Sequence, residues 1–145
     1  MFEQDIKKTG FYKNKTKNIL KAARVVVENF NGVVPGTMEE LLTIPGAARK
    51  TANVVLFNAF GINKGIAVDT HVKRFAIKFD LTDYSDPVRI EKDLMEIFPQ
   101  TQWGNITHLL IEYGRNICPA RKHVCTEHLL TKIYPKAAQI WPKSK

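Results

Sequence analysis

Residues 41–61, LLTIPGAARKTANVVLFNAFG, decide how the chain is read. Pro45-Gly46 does not continue a helix, because proline lacks the amide donor and glycine leaves the helical region at no steric cost. Just upstream, Thr37-Met38-Glu39-Glu40 has the form of a capping box, with a hydroxyl and a carboxylate placed to satisfy the orphan amides of a first turn. A short helix to about residue 43 follows. Beyond the break, a second helix runs from about residue 48 to Phe60, and Gly61 supplies a left-handed stop. The stretch is two helices joined by a tight hairpin.

Outward from this hairpin, helical spacing persists and strand alternation is almost absent. Ile19, Ala23, Val26, Val27 and Phe30 share one face of a helix over 16–30, ended by Asn31-Gly32. Residues 62–68 read as a loop with an extended end. Asp69 then stands where an N-cap belongs, ahead of a helix over 70–79. Asp86-Pro87 opens another to about residue 98, since a proline at the first helical position has no needed amide to lose. Helices near 103–117, 126–133 and 136–141 complete an all-α chain with no internal repeat or low-complexity tract.

With 145 residues and 44% hydrophobic content, the chain can fold as one domain or as two small lobes sharing a core. No run approaches the roughly 18–20 apolar residues of a membrane span. The start, MFEQDIKKTG, lacks a signal-peptide centre, so the expected address is cytoplasmic, with no membrane partner. Twenty-two Lys and Arg against fourteen Asp and Glu leave a net charge of +8 and a pI near 9.6, which favours polyanions such as nucleic acid or acidic membrane surfaces. Cys118 and Cys125 are too few for a disulfide framework and read as reduced thiols.

A helix N-terminus presents unpaired amides and a positive dipole end. A hairpin built on Gly46, Ala47 and Ala48, with Arg49 behind it, can therefore hold a phosphate without reading a base. A Pro-Gly turn taken alone is equally an ordinary αα-hairpin. Lys50 is the anomaly, because a cation is poorly placed in the first turn of a helix. Asp69 has a plain structural reading as an N-cap accepting the amide of His71 or Val72, and His71 reads as a structural or surface residue. Lys73, Arg74, Arg115, Arg121 and Lys122 are candidates for phosphate contact, although each alone is equally a solvated charge.

LLTIPGAARKTANVVLFNAFG followed by IAVDTHVKR resembles the helix-hairpin-helix and following Asp segment of the endonuclease III family of base-excision DNA glycosylases. GFYKNKTKNI and HLLIEYGRNICPARKHVC resemble its flanking segments, so the likeness runs from about Gly10 to Tyr134. It implies an all-α fold of two helical lobes with a cleft between them, here a partial hairpin lobe over 1–63 and a C-terminal lobe over 64–145. The implied partner is damaged double-stranded DNA, whose damaged nucleotide is flipped out. By the same resemblance Lys50 matches the nucleophile, whose amine attacks the sugar C1′, displaces the base and forms a Schiff base that drives β-elimination. That role asks for a neutral amine, whereas a free Lys titrates near 10.4; Arg49, the helix dipole and any burial in a cleft act in that direction. Asp69 matches the family's Asp, which assists base departure. The implied DNA contacts are Gly46, Ala47, Ala48, Arg49, Lys73 and Arg74. RKTANVV with VDTHVKR resembles the lyase-competent branch, which acts on oxidised pyrimidines and abasic sites.

The chain departs from that family in three places. Members commonly hold a [4Fe–4S] cluster in C-x6-C-x2-C-x5-C; Cys118 and Cys125 keep the first spacing, but His128 and Tyr134 stand at the third and fourth positions. A four-thiolate site cannot form, so the expectation is no cofactor and no metal, with Cys118, Cys125, His123 and His128 as the donors left for another ion. Ala48 stands where the family usually has a second hairpin Gly, at a cost of about 1 kcal/mol if the position needs a positive φ. Members also ordinarily carry several tens of residues ahead of the segment that aligns with Met1, supplying helices of the hairpin lobe, part of the pocket and the wedge behind the flipped base. Without them, apolar faces such as Val26, Val27 and Phe30 would seek a partner. The leading reading is a minimal glycosylase and AP lyase. The alternatives are a non-catalytic helix-hairpin-helix DNA-binding module, or a truncated fragment stable only as an oligomer or beside a second polypeptide.

Overall fold

The structure, a computed structural model, describes residues 2–139. Those residues form eight α-helices and two 3₁₀ turns, with no strand among them. The chain divides into two compact units, Met1–Gly61 and Ile62–Lys145.

The first unit holds α1 (Phe2–Asp5), α2 (Tyr12–Phe30), α3 (Met38–Leu41) and α4 (Arg49–Phe60). Helix α2 starts four residues before the expected position, because Phe11 turns through the left-handed region at φ 56 and serves as its N-cap. Asn31 and Gly32, at φ 51 and 80, end it, and both of their amides return to Val26 O. At α3 the Glu40 amide donates to Thr37 Oγ1 at 3.3 Å, while the Thr37 hydroxyl donates to Glu40 Oε2 at 2.6 Å. The box thus closes side chain to side chain, and the carboxylate takes the hydroxyl of Thr37. Met38, Leu41 and Ile44 pack inward from α3 and the turn, and Ala52 and Leu56 from α4. Gly61, at φ 68, caps α4 in the left-handed region as the sequence predicts.

Helix α2 is only partly covered. Ile19, Ala22, Val26, Val34, Leu41 and Val55 contribute to an apolar groove of about 370 Å³ on this unit. Leu20 is 55% exposed and Val27 65% exposed, whereas Val26 and Phe30 are half-buried. Most of the apolar face read from the sequence is therefore accessible.

The second unit holds α5 (Thr70–Lys78), α6 (Pro87–Ile97), a 3₁₀ turn (Gln100–Gln102), α7 (Trp103–Asn116), α8 (Leu129–Ile133) and a second 3₁₀ turn (Pro135–Ala138). Helix α8 is shorter than expected, and the final helix expected at 136–141 is a 3₁₀ turn whose continuation lies outside the described residues. The core gathers Ile66, Val68, Val72, Phe75, Ile90 and Leu94 around α5, with Cys118 and Cys125 buried in the same cluster. Phe75 stacks near Phe79 at 6.0 Å and meets Tyr113 edge-on at 5.2 Å. The entering loop is fastened before α5 begins. Asn63 Oδ1 accepts the Gly104 amide at 3.0 Å, Asn63 O accepts Gln100 Nε2 at 2.9 Å, and Thr107 donates to Ala67 O.

Helix α7 meets α5 at Gly114. A Cβ there would stand 2.4 Å from His71 Nδ1 and 2.9 Å from Arg74 Nη2, closer than atoms pack. Gly114→Ala should therefore destabilise the second unit by roughly 1–3 kcal/mol, the usual cost of forcing extra volume into a packed contact. A lowered thermal midpoint with unchanged helical circular dichroism at low temperature is the expected result.

Candidate functional site

The residues singled out in the sequence fall in both units. Gly46, Ala47, Ala48, Arg49 and Lys50 belong to the first; Asp69, Lys73 and Arg74 belong to the second. Gly46 takes φ +84, and a Cβ on it would sit 3.0 Å from Asn18 Cβ, so both backbone angle and space call for glycine there. Ala48 has φ −76 and ψ 171, ordinary extended backbone. The strain conditionally expected at Ala48 is absent because the left-handed residue of this turn is Gly46.

The Ala47 amide donates to Ile44 O at 3.0 Å, which closes the turn. Among the described residues no acceptor takes the amides of Gly46 and Ala48. Ala48 is the N-cap of α4 and has no side-chain oxygen to offer, and the first turn carries no acidic residue. The helix start therefore has no carboxylate of its own first turn to compensate its positive end. Lys50, the second residue of α4, is exposed there, so no burial accompanies it.

Asp69 is the N-cap of α5. Its Oδ1 accepts the amides of His71 at 2.8 Å and Val72 at 2.9 Å, which holds the carboxylate in one orientation at the start of the helix. Lys73 is half-buried on α5.

Arg74, read from the sequence as a DNA contact, is an inward-facing cation of α5. It is buried, its Nη1 donates to Cys118 O at 2.7 Å, and its guanidinium lies 4.1 Å from the centre of the Phe75 ring. A guanidinium held by a carbonyl and an aromatic face fastens the loop after α7. Arg115, Arg121 and Lys122 are exposed, and Arg115 pairs with Glu112 at 3.7 Å.

Sequence spacing set Cys118 and Cys125 beside His128 and Tyr134. Of the two histidines left as donors, the structure brings His123 to the thiols: donor atoms of Cys118, His123 and Cys125 all lie within 4.8 Å of one another. His128 stands behind, its ring 5.1 Å from that of His123. Tyr134 is turned away, its hydroxyl donating to Asp80 Oδ2 at 2.5 Å. A [4Fe–4S] cluster does not fit this donor set, since two thiolates are present where four are needed and the fourth position is committed to Asp80. His123, two residues before Cys125, is among the donors that the sequence leaves for another ion.

Burial pushes the Cys118 thiol above its usual range, against the opposing pull of Lys78. Burial, then His123 and Lys78, hold His128 below the usual imidazole range. Tyr113, between Phe75 and His128, is pushed up to about 12 chiefly by burial. The bonds from Lys136 and Tyr134 hold Asp80 below the usual carboxylate range.

Residues 1–100 match the family described as HhH-GPD superfamily base excision DNA repair protein. The chain is similar to Endonuclease III of Synechocystis sp. (strain ATCC 27184 / PCC 6803 / Kazusa), with 54% identity over 93% of this chain and 62% of that protein. Endonuclease III of Bacillus subtilis (strain 168) is 44% identical over 86% of this chain and 57% of its own length. Two solved structures superpose well. One is described as a trapped Endonuclease III–DNA covalent intermediate, an estranged-adenine complex (TM-score 0.83, 40% identity, 90% of this chain and 62% of that one). The other is a non-covalent Endonuclease III–DNA complex (TM-score 0.86, 38% identity, 95% and 64%). The chain spans about three fifths of the length of the curated relatives it matches. Described residues that are helical without a strand, with a Gly46 hairpin and Asp69 capping α5, and this extent of matching establish that the chain belongs to the HhH-GPD superfamily of base excision DNA repair proteins.

Proposed function

We propose that the chain is a DNA glycosylase and AP lyase that acts on oxidised pyrimidines and abasic sites in double-stranded DNA, in the cytoplasm, and at the nucleoid if the cell is bacterial. The observation that carries this reading is Lys50, an exposed amine in the first turn of α4, directly behind a Gly46 turn with untaken amides. The likeness to a trapped Endonuclease III–DNA covalent intermediate supports it.

In this mechanism the amides of Gly46 and Ala48 hold a backbone phosphate, aided by the dipole of α4, and Ala47, Arg49 and Lys73 are further contacts to the DNA. The Lys50 amine forms a bond to C1′ as the bond to the base breaks, and the departing base takes up a proton. The nitrogen lone pair then closes a C=N bond as the C1′–O4′ bond breaks and O4′ takes a proton, which opens the sugar to a protonated Schiff base. This acidifies C2′–H, and removal of that proton forms the C2′–C3′ double bond as the 3′ phosphate leaves with the electrons of the C3′–O bond. Asp69, anchored through two amides, keeps its second oxygen for the positive charge that develops on the sugar.

A second reading is favoured by the accessible apolar face of α2. Ile19, Leu20 and Val27 suit a DNA-binding module whose α2 is covered by a second copy or by another polypeptide. Light scattering separates the cases, since a clean monomer is not a self-covering module.

Borohydride trapping on abasic duplex DNA tests the chemistry. Wild-type protein should form a permanent crosslink, and Lys50→Ala should trap only background amounts while keeping salt-dependent duplex binding. An undiminished crosslink in Lys50→Ala would remove Lys50 from the mechanism. The role of Asp69 is separable from its cap. Asp69→Asn keeps a good N-cap and should lower trapping about tenfold or more at nearly unchanged stability. Asp69→Ala should in addition lose about 1 kcal/mol of stability. Wild-type trapping by the Asn variant would leave Asp69 as a cap alone.

A further inference from the structure

The segment after α7 is built around its two thiols. The amides of Ile117 and Cys118 both return to Tyr113 O, at 3.0 and 2.8 Å, which turns Cys118 inward. Cys118 is fully buried and Cys125 is 2% exposed. Cys125 O accepts the His128 amide at 3.2 Å and the hydroxyl of the buried Thr131, so the chain around Cys125 is fixed by its own backbone. His123 returns between them. Its Nδ1 lies 2.8 Å from Arg121 O, a bond the ring makes by donating, which puts the lone pair on Nε2. Metal-bound imidazoles are commonly held in this way, with the far nitrogen donating to a carbonyl. His128 adds a second imidazole whose Nδ1 is buried with no hydrogen-bond partner.

We propose that Cys118, His123 and Cys125, with His128 as the fourth donor, form a structural site for one thiophilic divalent ion of the zinc class. Two sulfurs and two imidazoles are a tetrahedral donor set for such an ion, and no open position for a substrate remains. Bonds of about 2.0–2.3 Å set donor separations of roughly 3.3–3.8 Å, so the donor atoms of Cys118, His123 and Cys125, within 4.8 Å of one another, need to draw in by at most about 1.5 Å, and His128, outside that group with its ring 5.1 Å from that of His123, swings in to complete the set. Binding forms two metal–sulfur bonds and releases both thiol protons to solvent, and the two thiolates cancel the charge of the ion. Lys78 Nζ stands 3.5 Å from Cys125 Sγ and Arg74 Nη1 stands 4.0 Å from Cys118 Sγ. Both are buried cations from α5 that donate to the sulfurs as outer-shell groups. The spacing is Cys-x4-His-x-Cys-x2-His, distinct from a four-cysteine cluster motif.

Cobalt is the probe. The full chain, purified under reducing conditions and stripped of metal, should bind one Co²⁺ with thiolate charge-transfer absorption and the intense visible bands of a tetrahedral site. Zn²⁺ should displace it and bleach the colour. His123→Ala, a change at a half-buried loop ring, should weaken binding by about a hundredfold or more with the thermal melt of the metal-free protein unchanged. Cys125→Ser should do the same, with circular dichroism as the check on folding. His128→Ala should shift the visible bands, and an unchanged spectrum would overturn its part as fourth donor. The proposal fails if no stoichiometric cobalt binds, if only weak octahedral bands appear, or if His123→Ala binds like wild type. It fails equally if the thiols pair as a disulfide in the presence of the metal, or if reconstitution with iron and sulfide yields a brown cluster.

Discussion

Helix α5 lies against α7 because position 114 has no Cβ. Nine residues make a poor helix in isolation, so α5 depends on packing for its existence. The Gly114 contact lets His71, Arg74 and Phe75 approach α7 directly, and with them goes the placement of everything else in the second unit. Val72, Phe75 and Ala76 become the core, and Asp69 is held at the helix start through the amides of His71 and Val72. Arg74 and Lys78 are delivered to the thiols on the far side. One close approach therefore sets both the carboxylate proposed for chemistry and the cations around the proposed metal site.

A similar constraint governs the first unit. Gly46 is confined by a positive φ and by Asn18, and its turn carries the start of α4. The cap at Ala48 has no side-chain oxygen, so the geometry that closes the hairpin also leaves the helix start open. A serine or aspartate there would be the better cap for stability. Local stability and anion binding pull in opposite directions at this position.

Much of this was legible in the sequence because it is local. The Thr37 box, the caps Asp69 and Asp86, the Asn31-Gly32 stop and the left-handed Gly61 each depend on a few neighbouring residues, and each is found where the residues predict it. The capping reading of Asp69 was equally available from spacing alone. What stayed hidden depends on residues distant in sequence. Nothing in the string VDTHVKR says that Arg74 points inward to Cys118, forty-four residues away. The closeness of His123 to the sulfurs is of the same kind: spacing leaves His123 and His128 as equal donors, whereas the turn between Arg121 and Cys125 brings the first of them within 4.8 Å. The φ at Ala48 could be posed from sequence only as a condition, and the hairpin met it by assigning the left-handed angle to Gly46.

Asp80 closes the segment that carries the cysteines. It turns through φ 52 after α5 and takes the Tyr134 hydroxyl and the Lys136 ammonium, joining residues more than fifty positions apart. Contacts of such separation form only after the intervening chain has been ordered, because loop closure must precede the bond. These groups are also largely solvent-exposed, where ion pairs hold weakly. In amide hydrogen exchange the segment from Cys118 to Lys136 should then open by local fluctuation more readily than α5 and α7.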